Sequence, residues 1–410
     1  MNTKKNKKPG KKSAAGINNQ RQLFFNHVAQ TSPSPIALQI VKAKGTMLYD
    51  VKGKKYIDLI AGISVCNVGH CHPKVVKAIK KQAADYLHLL VYGEMIESPQ
   101  VQYAKMLVDH LPKSLNAVYF TNSGTEATEG AMKLAKRVTG RTQIIAFNQS
   151  YHGSTQGALS VMGDEYWRNA FRPLLPDILH VEYNSAEAIN AITERTACVI
   201  AETIQAEKGV YAPLRKWLKD LRKKCNETGT LLILDEIQTG FGRTGTLWGF
   251  EHFGVVPDIL LSGKALGGGM PLGAFIANKK LTNQFTENPV LGHITTFGGH
   301  PVCCAAGLAA FKVLINQKII DSIYEKELLF RELLQHPKIK AIRSRGLLLC
   351  IELETATEAL KITQDCLKNG VLTDWFLFAP NCIRIAPPLT INEKEIRKAV
   401  SIILKTLDKE

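Results

Sequence analysis

The chain has 410 residues, of which 45% are hydrophobic and 21% charged. That length allows two or three domains around a large buried core, while no run approaches the roughly 20 apolar residues of a membrane-spanning helix and the first 25 residues lack the apolar core of a secretory signal. The nine cysteines form no C-x-x-C pair, which argues against a disulfide scaffold or a zinc ribbon and points to a reducing cytoplasm. The net charge of +16 is unevenly spread: residues 1–49 carry nine basic residues and no acid, leaving +7 for the other 361. Residues 1–20, rich in Lys, Asn, Pro, Gly and Ser, are expected to be a disordered basic tail, so nucleic acid is not an expected partner. A mitochondrial presequence would be arginine-rich, and this stretch relies on lysine.

Around Leu48 to Leu59 the pattern predicts a β-hairpin turning near Gly53 and Lys54. His70-Cys71-His72-Pro73 could ligate a metal in principle, but with no carboxylate or further cysteine nearby it reads as a helix-entry turn, and no metal is expected. Short apolar runs then alternate with amphipathic stretches: Ala117–Phe120, Ile144–Phe147, Ala197–Ala201, Leu231–Leu234 and Ile259–Leu261. Such alternation predicts an α/β fold with a mainly parallel sheet. After Ser123, apolar residues recur at helical spacing from Ala127 to Val138 and stop at Gly140; Trp217, Leu218, Leu221 and Cys225 make a second face ending near Gly229. The last helix opens at Asn392 with Glu395 three residues on, a capping-box pattern.

Parallel sheets bind ligands beyond the carboxyl ends of their strands. Past the five runs stand Thr121-Asn122-Ser123-Gly124-Thr125, Asn148-Gln149-Ser150-Tyr151-His152, Glu202, Asp235-Glu236 and Ser262-Gly263-Lys264. Together they predict one site for an anionic, aromatic, electrophilic ligand. Ser123-Gly124-Thr125 opens a helix whose free N–H groups and dipole attract a phosphate, though Ser123 with Glu126 also reads as a plain capping box. Gly240 to Gly245 matches G-x-G-x-x-G formally, but it stands five residues beyond its strand and no amphipathic helix follows, so dinucleotide binding is not expected there.

Four motifs in order, Thr121–Glu129 (TNSGTEATE), Leu231–Gly245 (LLILDEIQTGFGRTG), Ser262–Pro271 (SGKALGGGMP) and Thr295–Pro301 (TTFGGHP), resemble the class III aminotransferases, and the likeness runs from about Gly45 to Leu404. The acetylornithine, ornithine and putrescine enzymes are nearest in flavour. The resemblance implies a fold type I, pyridoxal 5′-phosphate-dependent transferase: a large domain with a mainly parallel sheet flanked by helices (61–310), a smaller C-terminal α/β domain (311–410), and an N-terminal segment (21–60) packed on the small domain. Lys264 would bond covalently to the cofactor and shuttle a proton, Asp235 would pair with the ring nitrogen, and Glu202 would be a third catalytic group. Ser123, Gly124, Thr125, Tyr151, His152 and Gln238 would hold the cofactor, joined by Thr296 from the partner of a homodimer. Arg384 would grip the carboxylate of a 2-oxo acid, with Glu207 as its alternative partner, and Ile63 would stand where the ornithine enzyme has tyrosine.

One departure concerns the amino donor. Tyr151-His152-Gly153-Ser154 stands where the acetylornithine, ornithine and γ-aminobutyrate enzymes usually carry F-[HW]-G-R, whose arginine binds the donor's distal carboxylate. Ser154 cannot supply that charge, unless Arg168, Arg172 or Lys208 points into the pocket instead. The expected activity is an ω-aminotransferase acting between a terminal amine and a 2-oxo acid, with a diamine donor as one alternative and a cofactor-sharing aminomutase or decarboxylase as another.

Overall fold

The five apolar runs are strands, each one or two residues longer than its run. In the computed structural model, which describes residues 14–409, they are β1 (Ala117–Thr121), β2 (Gln143–Phe147), β4 (Thr196–Glu202), β5 (Leu231–Asp235) and β6 (Ile259–Ser262). Two more complete the sheet: β3 (Ile178–Val181), and β7 (Gly273–Ala277), which runs against its neighbours. The spatial order is β1-β7-β6-β5-β4-β2-β3, and every pair that excludes β7 is parallel. β4 is buried along its whole length, as expected of a central parallel strand covered on both faces.

Local signals account for the helices around it. Helix Gly124–Thr139 starts with Ser123 accepting from the Glu126 N–H and ends at Gly140 with φ +69°, the left-handed position that favours glycine. Helix Arg215–Thr228 ends the same way at Gly229. His72 caps helix Pro73–Asp85 by accepting from the Lys74 N–H, so the His70-Cys71-His72 stretch is the helix entry that its sequence predicts. The capping box of helix Glu393–Leu407 is complete, with Asn392 and Glu395 exchanging side chain-to-backbone bonds. Helix Pro301–Asn316 is apolar nearly all round and lies in the core. Among the described residues no single helix is long and apolar enough to cross a membrane.

Beyond the large sheet, Ala341–Arg345, Leu348–Glu352, Ala379–Ile385 and Asp374–Phe376 form an antiparallel sheet of four strands. The predicted hairpin is present as Met47–Asp50 and Lys55–Asp58, joined by Ile40–Lys44 on one side. On the other side it pairs parallel with Val371–Leu372, so the N-terminal segment shares a sheet with the C-terminal region. The expected basic tail of residues 1–20 lies outside the described residues as far as position 13. From Ala14 to His27 the chain is helical rather than unstructured. That stretch has no proline, and Leu23, Phe24 and Phe25 give it apolar side chains that the lysine-rich positions before it lack.

Candidate active site

The carboxyl ends of β1, β2, β4, β5 and β6 open into one cavity of about 300 Å³. Gly124, Thr125, Tyr151, His152, Glu202, Glu207, Asp235, Gln238 and Lys264 all line it, so the parallel sheet brings together residues spread over 140 positions of sequence. Lys264 stands two residues beyond the end of β6 and has φ +47°, a left-handed conformation uncommon for a residue with a side chain. A Cβ on the preceding Gly263 would lie 3.2 Å from Ile237 Cγ2 and 3.4 Å from Gly124 Cα, so the lysine turn packs tightly over the helix start. Lys264 Nζ donates to Gln238 Oε1 at 3.0 Å. Burial lowers the lysine from its ordinary value to about 8, with Glu207 opposing that shift and Arg384 reinforcing it.

Asp235 is fixed from two sides. Its Oδ1 accepts the Ile237 N–H at 2.9 Å and its Oδ2 lies 2.8 Å from His152 Nδ1. His152 thus bonds the acid, a contact that residue spacing does not reveal. Glu202 ends β4 and accepts from the N–H groups of Tyr151 and Ala206 at 2.9 and 3.0 Å. Burial, then the like charge of Asp235, pushes its carboxyl up to about 8. Gly153 has φ +129°, and a Cβ there would collide with Thr125 Oγ1 at 2.2 Å. The glycine lets the strand-end loop carrying Tyr151 close against the helix start, where Thr155 bonds both Thr125 and Glu129.

Arg384 and Glu207 lie against the cavity as a buried fork-to-fork pair, Nη1 to Oε1 at 2.8 Å and Nη2 to Oε2 at 2.9 Å. Burial would raise the Glu207 carboxyl, but the guanidinium outweighs it and holds the group below the usual carboxylate range. Glu207 stands on the cavity wall and Arg384 directly behind it.

The other predicted residues lie outside the cavity lining. Ser123 is spent on the helix cap, while Glu126 bonds the Asn122 N–H rather than completing a box with Ser123. Ile63 sits in a left-handed turn, Ala61 to Ser64 all having φ between 48° and 64°. Asp58 holds that turn by accepting from the Ile60 and Ala61 N–H groups at 2.9 Å each. Thr296 is exposed. Arg168 and Arg172 are both paired with Glu165, and Lys208 lies 4.7 Å from the Tyr211 ring, so none of the three lines the cavity. Ser154, which bonds Tyr151 at 3.2 Å, lines the cavity, and among the described residues no arginine does.

Sequence reasoning missed Ile204, Ile237 and Thr239 as wall residues. Ile237 lies in the turn beyond β5, where the strand's alternation no longer sets the direction of a side chain.

The donors left over suit a flat, oxygen-bearing ring with a phosphate. Gln238 Nε2 is buried with no partner among the described residues, and an anionic ring oxygen would complete it. Gly124, where a Cβ would come within 2.7 Å of Ile237 Cδ1, leaves the helix N–H groups bare toward an anion. Ile237 and Tyr151 supply apolar surface for the ring, Asp235 an acceptor for a protonated ring nitrogen, and Lys264 an amine for an aldehyde. These residues fit pyridoxal 5′-phosphate.

Residues 28–407 match the family described as aminotransferase class-III. The acetylornithine aminotransferase of Methanopyrus kandleri is 40% identical over 386 residues, covering 93% of this chain and 96% of that protein. That of Bacillus subtilis is 40% identical over 370 residues, covering 89% and 93%. Among solved structures, an ornithine aminotransferase from Toxoplasma gondii, described with partial occupancy of PLP at its active site, superimposes with a TM-score of 0.86 at 30% identity, covering 96% of this chain and 97% of that one.

Proposed function

The chain belongs to the class III aminotransferases, and from that premise we propose that this cavity moves a terminal amino group from an amine donor to a 2-oxo acid, 2-oxoglutarate being the acceptor. Bound in the cavity, pyridoxal 5′-phosphate supplies an aldehyde that takes up the amino group and a ring that withdraws electrons from the reacting carbon. Lys264 is the group that holds the cofactor and, once released, carries the proton; its amine is partly neutral near pH 8, the form able to accept one. Asp235, held by His152 and the Ile237 N–H, keeps a proton on the ring nitrogen. Gln238 would bond the ring oxygen, Tyr151 would cover the ring, Gly124 and Thr125 would offer N–H groups to the phosphate, and Glu202 buttresses the Tyr151 loop.

The observation that carries the reading is the Arg384–Glu207 fork beside Lys264. A donor entering through its terminal amine brings no carboxylate to this position, and a bare buried guanidinium would be costly, so Glu207 stays in the fork. A 2-oxo acid brings its own carboxylate and takes the place of Glu207. One cavity thereby serves both half-reactions, and a mutase or decarboxylase would have no use for the exchange. Thr296 reaches the cavity of a second copy, so the working unit is a homodimer. Nine free thiols suit a reducing cytoplasm.

Ser154, with no arginine among the described lining residues, favours a donor whose far end carries no carboxylate, a diamine such as putrescine or cadaverine, although the two relatives named above are acetylornithine enzymes. The test is a donor panel of N-acetylornithine, ornithine, γ-aminobutyrate, putrescine, cadaverine and lysine against 2-oxoglutarate. The expected result is turnover that requires 2-oxoglutarate, is fastest with diamines, and is lost in Lys264→Ala. Faster use of N-acetylornithine would overturn the donor assignment, and turnover by Lys264→Ala would overturn the mechanism.

A further inference from the structure

Arg384 has a second carboxylate. The short strand Asp374–Phe376 runs antiparallel to Ala379–Ile385, with Asp374 directly opposite Arg384. Three successive residues of that strand meet the guanidinium. Asp374 Oδ1 lies 3.0 Å from Nε, the Trp375 carbonyl accepts from Nη2 at 3.0 Å, and the Phe376 ring centre is 4.5 Å from the guanidinium carbon. The residue before them, Thr373, donates its hydroxyl to the Arg384 carbonyl. Glu207, from the loop after β4, occupies the outward fork of Nη1 and Nη2, and its Oε2 also accepts the Leu377 N–H at 3.0 Å.

The two carboxylates are therefore not equivalent. Asp374 belongs to the same sheet as Arg384 and moves with it, whereas Glu207 lies on the cavity wall. When Glu207 leaves the fork, an arginine with one acid partner would be a stranded buried charge, and the exchange would pass through a costly state. With Asp374 on Nε the cation stays paired throughout, and the ring below and the carbonyl beside it keep the fork aimed outward.

We propose that Asp374 is a positioning residue, the permanent partner that holds Arg384 in place while Glu207 and the acceptor's carboxylate exchange on its fork. This rests on the reading of Arg384 as the acceptor's anchor. Because the cradle acts through Arg384, its loss should fall on the half-reaction that uses the fork and spare the one in which Glu207 keeps it.

The experiment compares Asp374→Ala, Asp374→Asn and Arg384→Gln with the wild-type holoenzyme in two assays: stopped-flow rates of each half-reaction, and calorimetric binding of glutarate, a dicarboxylate that cannot react. Asp374→Ala is expected to raise both the KM for 2-oxoglutarate and the Kd for glutarate about tenfold while the amine-donor half-reaction stays within about twofold. Asp374→Asn, which keeps the size of the side chain but removes its negative charge, should show the same loss as Asp374→Ala. Equal damage to both half-reactions, or to neither, would overturn the proposal. If Arg384→Gln binds glutarate as well as wild type, the anchor reading itself fails and the role of Asp374 falls with it, a result separable from the first because it appears in the arginine variant.

Discussion

At the scale of single residues, the chemistry depends on how burial and neighbours set proton affinities in one small volume. Lys264, Glu202 and Asp235 line the same wall, yet burial moves the lysine down and Glu202 up, so both titrate near 8. For the lysine the consequence is direct, because only the neutral amine attacks an aldehyde. Its neutral fraction rises with pH, and the midpoint of that rise sits near 8 instead of the ordinary 10.5. The rate at which cofactor-stripped protein captures pyridoxal 5′-phosphate, followed by absorbance between pH 6 and 10, should therefore climb through a midpoint near 8. A midpoint above 10 would mean that the amine is solvated and that the burial seen here does not govern it. The residues at strand ends were legible in sequence because a parallel sheet converts chain order into proximity. The His152–Asp235 bond and the Asp374 cradle were not, because they depend on side-chain direction and on the register of a strand only three residues long.

At the scale of elements, β7 shows where sequence patterning falls short. Gly273–Ala277 is a five-residue apolar run like the others, but nothing in its composition marks it as reversed, and its place between β1 and β6 comes from the turns on either side. The Gly240–Gly245 loop makes the complementary point, since a formal dinucleotide motif proves to be a structural joint. Arg243 within it is fully buried, its Nη1 donating to the carbonyls of Leu347 and Pro387 at 2.8 and 2.6 Å and its Nη2 to Asn67 Oδ1 at 2.6 Å. One side chain thus ties the loop after β5 to Asn67, to Leu347 and to the segment just beyond the strand that carries Arg384. Gly346 permits the contact, since a Cβ there would lie 2.5 Å from the Thr244 backbone. Replacing Arg243 with Met would leave three buried oxygens without a donor, and the expected loss is roughly 3 kcal/mol or more. A urea midpoint unchanged from wild type would show that water replaces the guanidinium without penalty.

At the scale of the whole molecule, large apolar side chains stand exposed close to Thr296 in sequence. Ile96 is 95% exposed, Leu87 62% and Val290 73%, and the two loops bearing them touch through His88 and Phe297, whose rings are 4.8 Å apart. An apolar patch of this kind marks a contact surface, and Thr296 lies exposed in the second of those loops, one residue before Phe297. If two copies meet here with each Thr296 reaching the other's cavity, the two groups of one active site come from different chains. That geometry makes a complementation experiment decisive. Lys264→Ala and Thr296→Glu homodimers should each be inactive, the first for want of the amine and the second because a carboxylate faces the phosphate. Mixed dimers, isolated through two different affinity tags, should contain one site with both defects and one with neither, and so regain about half of the wild-type activity per dimer. Were both groups of a site drawn from the same chain, the mixed dimer would carry one defect in each site and stay as inactive as its parents. A particle that sediments as a monomer while fully active would exclude the shared site altogether, and the exposed apolar loops would then need another partner.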